Sequence, residues 1–170
     1  MACHLSALLP RYVAAYRMLR SLTPLPGDCG KLCNSRCCKG DKERGMLLFP
    51  HEGELLSHAG YEITRRSMGG RQVEFAVCSG VCRRSLRPLS CRIFPFAPRL
   101  DAQGSLLIKP DPRALPFCPL LSPEAKSYLN PVFLREVEDA FALLLQCHEM
   151  QRFLRDYTCM LEQYDRFFKE

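Results

Sequence analysis

Four thiols fall within ten residues at Cys29, Cys33, Cys37 and Cys38, with the spacing C-x3-C-x3-C-C. A second group follows at Cys78, Cys82 and Cys91, spaced C-x3-C-x8-C, and Cys118 stands between Phe117 and Pro119. Eight of the 11 cysteines therefore lie in one central window. Thiolate is a soft ligand suited to zinc and to iron–sulfur clusters, so chelation is the chemistry this crowding supports. Gly30 and Gly40 bracket the first group. Glycine lets the backbone turn tightly, so that successive sulfurs can face one centre while amides point at them. Two adjacent cysteines fit one small ion poorly, so Cys37 and Cys38 are expected to serve different centres, or one of them none. A knot that feeds two centres must be completed from elsewhere, and Cys78, Cys82, Cys91 and Cys118 are the sulfurs at hand.

A closed zinc site takes four S or N donors in a tetrahedron, so eight cysteines would make two. Sites of this kind add about 10–16 kcal/mol of apparent binding energy in small zinc peptides. The C-x3-C spacings are looser than a C-x2-C zinc knuckle, and the loops around them are rich in proline and bulky residues. Both features suit the wider [4Fe–4S] cluster, which also takes four thiolates. Iron–sulfur is the first expectation and zinc the second; one cluster with one zinc, or one cluster with spare thiols, is open.

The formal net charge of +6 invites a nucleic-acid partner, but it counts every thiol as neutral. Metal ligands bind deprotonated, so eight thiolates on two divalent ions lower the balance to roughly +2. Lys31, Arg36, Lys39, Lys42 and Arg44 beside the first group, and Arg83, Arg84, Arg87 and Arg92 beside the second, then read as counter-charge. No aromatic-interleaved binding motif accompanies them, and nucleic acid is not expected. The sharper reading of the arginines near Cys82 and Cys91 is a docking patch for an acidic protein partner.

Elements must position these sulfurs. Residues 4–22 read as an amphipathic helix with Leu5, Leu8, Leu9, Tyr12, Val13, Tyr16 and Leu19 on one stripe and Pro10 near its regular start. Residues 23–27 break it. Residues 46–49 form a short strand, and Pro50 opens a helix through Ser57, with Glu52 and Glu54 at its positive end and Gly60 as its stop. Residues 61–66 and 72–77 make a hairpin about Met68-Gly69-Gly70-Arg71, which delivers Cys78 toward the metal region. Residues 83–98 are a proline-stiffened loop carrying Cys91. Residues 106–109 are a further strand near the hairpin, and residues 110–119 are irregular. Ser122-Pro123 and Asn130-Pro131 are capped helix starts. The second helix runs on through Val137, Phe141, Leu144, Leu145 and His148 toward Phe153, Leu154 and Tyr157, with a last short helix reaching Phe168. His51, His58 and His148 are expected at helix surfaces or at the core edge, and Cys3, Cys147 and Cys159 as small buried hydrophobes.

The expected fold is α+β: one domain over residues 1–170. An N-terminal helix (1–22) and C-terminal helices (122–170) flank a small cysteine-rich core with short antiparallel strands (27–120). Residues 1–9 are mildly apolar, but Arg11 interrupts them and no cleavage site follows. No run reaches the ~18 apolar residues of a membrane span. A cytoplasmic protein is expected, and in that compartment clustered cysteines favour metal over disulfides.

The order Cys29, Cys33, Cys37-Cys38, Cys78, Cys82, and then Arg87-Pro88-x2-Cys91-Arg92-x2-Pro95, resembles the YkgJ-type "CxxCxxCC" cysteine-cluster family. Cys118-Pro119 fits the same pattern, and the likeness covers roughly residues 27–120. It implies zinc or iron chelation through Cys29, Cys33, Cys37, Cys38, Cys78, Cys82, Cys91 and Cys118. One departure is that three residues precede Cys37 here, where the family's pattern has two. Flagellin lysine-N-methylases carry a similar early cluster, and Pro10-Arg11-Tyr12-x3-Tyr16 is similar to their sequence; a methyltransferase-related enzyme is the alternative that likeness implies. The chain is short for such an enzyme. It contains no recognisable methyl-donor site, Gly-rich phosphate loop, G-x-S-x-G or H-E-x-x-H, so no catalytic residue is assigned. A zinc-dependent nucleic-acid-binding module is the remaining alternative.

Overall fold

The computed structural model describes residues 5–38, 45–78, 80 and 82–168, and its architecture is α+β. Cys3, Lys39, Gly40, Lys42 and Arg44 lie outside the described residues.

The first helix, α1 (Leu5–Met18), buries Leu8, Tyr12 and Ala15, and Leu19 just beyond it continues the stripe. Steps of three and four residues keep these side chains on one face. The stripe is narrower than expected: Leu9 and Val13 face outward. Pro10 sits within α1 instead of starting it.

At the other end of the chain, α5 (Pro131–Leu144) begins where Asn130 Oδ1 accepts the Val132 amide at 3.0 Å, with Pro131 in the first turn. This is the expected cap. The helix stops at Leu144, and Cys147, in extended conformation, leads into α6 (His148–Phe167). One continuous helix was expected through His148, and the last short helix is part of α6. The apolar period crosses the break because both helices face the same core, with Phe133, Val137 and Phe141 from one and Met150, Phe153, Leu154 and Tyr157 from the other. Residues 123–128, expected as a helix, form a 3-10 segment.

Strands β1 (Gly45–Leu47), β2 (Glu62–Met68) and β3 (Arg71–Val77) form an antiparallel sheet in the order β1-β3-β2. The expected hairpin is present: Met68 pairs with Arg71 across Gly69 (φ 57°) and Gly70 (φ 79°). Positive φ at both central positions is what a two-residue type I′ turn requires. Between β1 and β2 lies a single turn, α3 (Glu52–Leu55), shorter than the expected 50–57.

The strand at Leu106–Pro110 does not join the hairpin. It pairs with Phe96–Leu100 in a separate two-stranded sheet, and these strands are β5 and β4 respectively. Residues 96–98 were expected as the end of a proline-stiffened loop, and Pro98 lies within the strand. A two-stranded sheet consists only of edges, where a missing N–H is tolerated. All five β4 residues are buried, so no alternation marks the strand. Its seat is α6: the Leu100 amide donates to Thr158 Oγ1 at 2.9 Å, and Arg99 pairs with Asp165.

The main core draws on α1, β4, α5 and α6, with Phe49 near its centre. The Phe49 ring meets Phe141 edge-on at 4.9 Å and Phe153 at 5.6 Å, contacts worth roughly 0.5–1.5 kcal/mol each beyond area burial. Leu89 and Ile93 of α4 (Leu89–Ile93) also belong to this core. The cysteine knot does not: neither α2 (Gly30–Cys33) nor the 3-10 turn Arg36–Cys38 buries a residue.

Candidate metal centre

The first thiol group sits on two short turns. Cys29 precedes α2, Cys33 ends it, and Cys37 and Cys38 lie on the following 3-10 turn. The reversal between the turns is made by Asn34 and Ser35, both at φ 52°. Asp28 Oδ1 accepts the Gly30 amide at 3.0 Å, and Ser35 N donates to Gly30 O at 2.8 Å. Backbone hydrogen bonds thus hold the knot together, without apolar burial.

The second group comes from firmer supports. Strand β3 ends at Val77, directly before Cys78, and the Gly80 amide donates to Cys78 Sγ at 3.4 Å. Arg87 Nε donates to Cys82 Sγ at 3.3 Å. Cys91 rides on α4, between the core residues Leu89 and Ile93. Helix α4 is tied down by Glu52, which is fully buried. Its carboxylate accepts the Leu89 amide at 2.7 Å, the Phe49 amide at 3.0 Å and the Tyr16 hydroxyl at 2.6 Å. Glu52 was expected only as a charge near a helix start. Two of its three partners, Tyr16 and Leu89, come from distant parts of the chain, and no local pattern points to them.

The arginines of the second group mostly turn inward. Arg92 is buried, donates to Arg87 O at 2.9 Å and Ser85 O at 2.8 Å, and lies 4.5 Å over the Tyr16 ring. Arg84 reaches Leu22 O, and Arg83 alone of the four is exposed.

All eight predicted cysteines line two adjoining cavities. The inner cavity, ≈ 80 Å3, is walled by Cys29, Cys37, Cys38, Cys78, Cys82 and Cys91, together with Tyr61 and Arg87. The outer, ≈ 20 Å3, is walled by Cys29, Cys33, Cys37 and Cys118 among Phe94, Pro95, Phe117 and Leu120. The Phe94 and Phe117 rings stack at 6.0 Å. Among the described residues, no three His, Cys, Asp or Glu side chains already converge as a set able to hold an ion. The vicinal sulfurs of Cys37 and Cys38 stand 3.9 Å apart. That is close to the edge of a zinc–sulfur tetrahedron, roughly 3.8 Å for bonds of about 2.3 Å. The Tyr61 hydroxyl on the inner wall is buried beside Cys82, and burial together with that thiol holds its proton on.

Electrostatics link the same groups. Burial pushes the Cys91 thiol up, and Cys78, Cys82 and Cys38 add to it. Burial also raises Cys118, with Cys33 and Cys29 contributing. It raises Cys29 too, with Asp28 and Cys33 adding. Within the vicinal pair, the hydrogen bond with Cys37 pulls Cys38 down to about 6, helped by Arg87, and holds Cys37 correspondingly high.

Two cysteine expectations need correction. Cys159 is exposed, because the core-facing positions of α6 are Phe153, Leu154, Tyr157, Thr158 and Leu161 and residue 159 falls on the other side. Cys147 is buried as expected but is disulfide-bonded, so it is more than a small hydrophobe. Such a bond is rare in cytosolic proteins, whereas the eight central thiols are all free. His58 and His148 are exposed. Both ring nitrogens of His51 are engaged, Nδ1 with Glu54 at 2.9 Å and Nε2 with Glu149 at 3.1 Å.

No described helix is long and apolar enough to cross a membrane. No family model, no curated protein and no solved structure matches the chain.

Proposed function

We propose that the chain is a metal-binding protein whose eight central cysteines chelate iron, as a [4Fe–4S] cluster, or zinc, in a structural or electron-carrying accessory role. One observation carries this reading. The knot from Cys29 to Cys38 buries no side chain and forms no disulfide, yet it turns four thiols toward cavities completed by Cys78, Cys82, Cys91 and Cys118. Ser35, left-handed at φ 52°, adds strain to it, since such a position for a residue other than glycine or asparagine costs about 1–3 kcal/mol. No apolar burial within the knot offsets that cost, and metal–thiolate bonds would.

The donor chemistry fits. The sulfurs are soft ligands, and Gly80 N and Arg87 Nε already donate to two of them, as outer-shell partners of a thiolate do. When bound, a metal cross-links loops that share no core, and a cluster adds one-electron chemistry. The thiols are spread wider than the ligands of one ion, so uptake draws them inward. The likeness to the YkgJ-type cysteine-cluster family supports the same reading, on the motif residues alone.

The test is anaerobic purification followed by elemental analysis and a visible spectrum. Brown protein with iron and sulfide in similar amounts selects the cluster, and colourless protein with stoichiometric zinc selects structural sites. A folded protein with free thiols and no metal after gentle isolation overturns the reading.

A further inference from the structure

We infer that the eight thiols form two separate four-sulfur centres, with the adjacent residues Cys37 and Cys38 assigned to different ones. Cys38, Cys78, Cys82 and Cys91 hold the inner centre; Cys29, Cys33, Cys37 and Cys118 hold the outer. The division rests on the chelation reading above and goes beyond it by assigning each ligand.

It follows from which sulfur touches which cavity. Cys38, Cys78, Cys82 and Cys91 line the inner cavity and not the outer. Cys33 and Cys118 line the outer and not the inner, while Cys29 and Cys37 stand on the wall between. A zinc ion in a closed site and a [4Fe–4S] cluster both take four protein ligands. The outer cavity reaches four only by taking both shared cysteines, and the inner cavity then keeps four of its own. The 3.9 Å between Cys37 Sγ and Cys38 Sγ would by itself let one ion take both. That choice leaves the outer set one sulfur short and gives the inner set one too many.

The two surroundings differ as well. Tyr61, its buried hydroxyl beside Cys82, and Arg87, bonded to Cys82, face the inner set alone. When Cys82 is a thiolate, it becomes a charged acceptor for the Tyr61 hydroxyl. Around the outer cavity stand Phe94, Pro95, Phe117 and Leu120, which offer no side-chain donor. On their far side Cys33 and Cys118 also line an open groove of ≈ 760 Å3 beside Lys31 and Arg36. The inner centre is thus hydrogen-bonded, while the outer lacks side-chain donors and two of its own ligands also line the open groove. The outer centre therefore gives up its metal first.

The experiment uses the full chain, purified anaerobically, with iron, sulfide and zinc counted per chain. Cys118→Ser and Cys37→Ser should each remove the same share, and the double variant no more than either alone. Cys38→Ser and Cys78→Ser should remove the other share, and Cys78→Ser with Cys118→Ser should remove both. In case a variant fails to fold, wild-type protein is challenged with a chelator: release should come in two phases. Tyr61→Phe should speed only the slow phase, by about the 10–100-fold that outer-shell donors are worth in metal affinity. A Cys37→Ser, Cys38→Ser double variant that loses no more metal than either single variant, or a single release phase, overturns the division while leaving chelation intact. A wild-type chain without metal overturns both.

Discussion

His51 occupies a left-handed backbone position at φ 64° and joins α3 to α6 through carboxylates on either side. Its hydrogen bond to Glu54 raises its affinity for a proton; burial opposes this, and Glu149 adds to the rise. A histidine whose folded value lies above the unfolded one stabilises the fold fully below the unfolded pKa, near 6.5, and loses that stabilisation as pH climbs through the folded value. Asparagine tolerates the left-handed region, so His51→Asn removes the charge without imposing backbone strain. Denaturation midpoints of wild type and His51→Asn should therefore differ more at pH 6 than at pH 9. A difference that grows with pH would contradict the charged bridge. At this scale the sulfurs were legible and Glu52 was not. A ligand set announces itself through residue type and local spacing, whereas Glu52 acquires its role only when residues 16, 49 and 89 close around it. Tyr61 is the same case, since the sequence marks it only as a strand residue and its place beside Cys82 emerges with the cavity.

The sheet that delivers Cys78 divides in the same way. Its hairpin was readable because Gly69-Gly70 between alternating strands is a short-range signal. Strand β4 was hidden, because a fully buried strand containing Pro98 lacks the period that reveals one. Two glycines in the first sheet separate what a strand needs from what the centre needs. A Cβ on Gly70 would meet nothing within 4 Å, so Gly70→Ala suffers only from its φ of 79° and should cost about 1–2 kcal/mol. A Cβ on Gly45 would lie 2.0 Å from the Ala76 carbonyl oxygen, so Gly45→Ala must push β1 off β3. Gly45 also lines the inner cavity. Gly45→Ala should lower both the denaturation midpoint and the metal content, and Gly70→Ala the midpoint alone. Equal metal loss from both would mean that the sheet supports the centre only through overall stability.

At the scale of the molecule, the terminal helices do more than flank a cysteine core. Helix α1 packs on α5, α6 packs on β4, and the apolar cluster they share contains none of the eight central cysteines. Periodicity made the helices legible one at a time; their convergence around Phe49 depends on contacts between distant segments that no local pattern encodes. The sequence alone favours a middle that has no shape without metal, and the structure divides that expectation. Leu47, Phe49, Met68, Val73, Leu89 and Ile93 anchor much of residues 45–100 in the main core, whereas the knot at 30–38 has no buried residue. Stripping metal with a chelator under reducing, anaerobic conditions should therefore loosen the protein unevenly. Amide exchange should accelerate over residues 28–38 and 82–88, while α1, α5 and α6 stay protected and most helical circular dichroism remains. Cys159→Ser, exposed on α6, should change neither the metal content nor this pattern. If α6 lost protection together with the knot, metal and core would be one cooperative unit, and apolar packing around Phe49 would be insufficient to hold the helices without it.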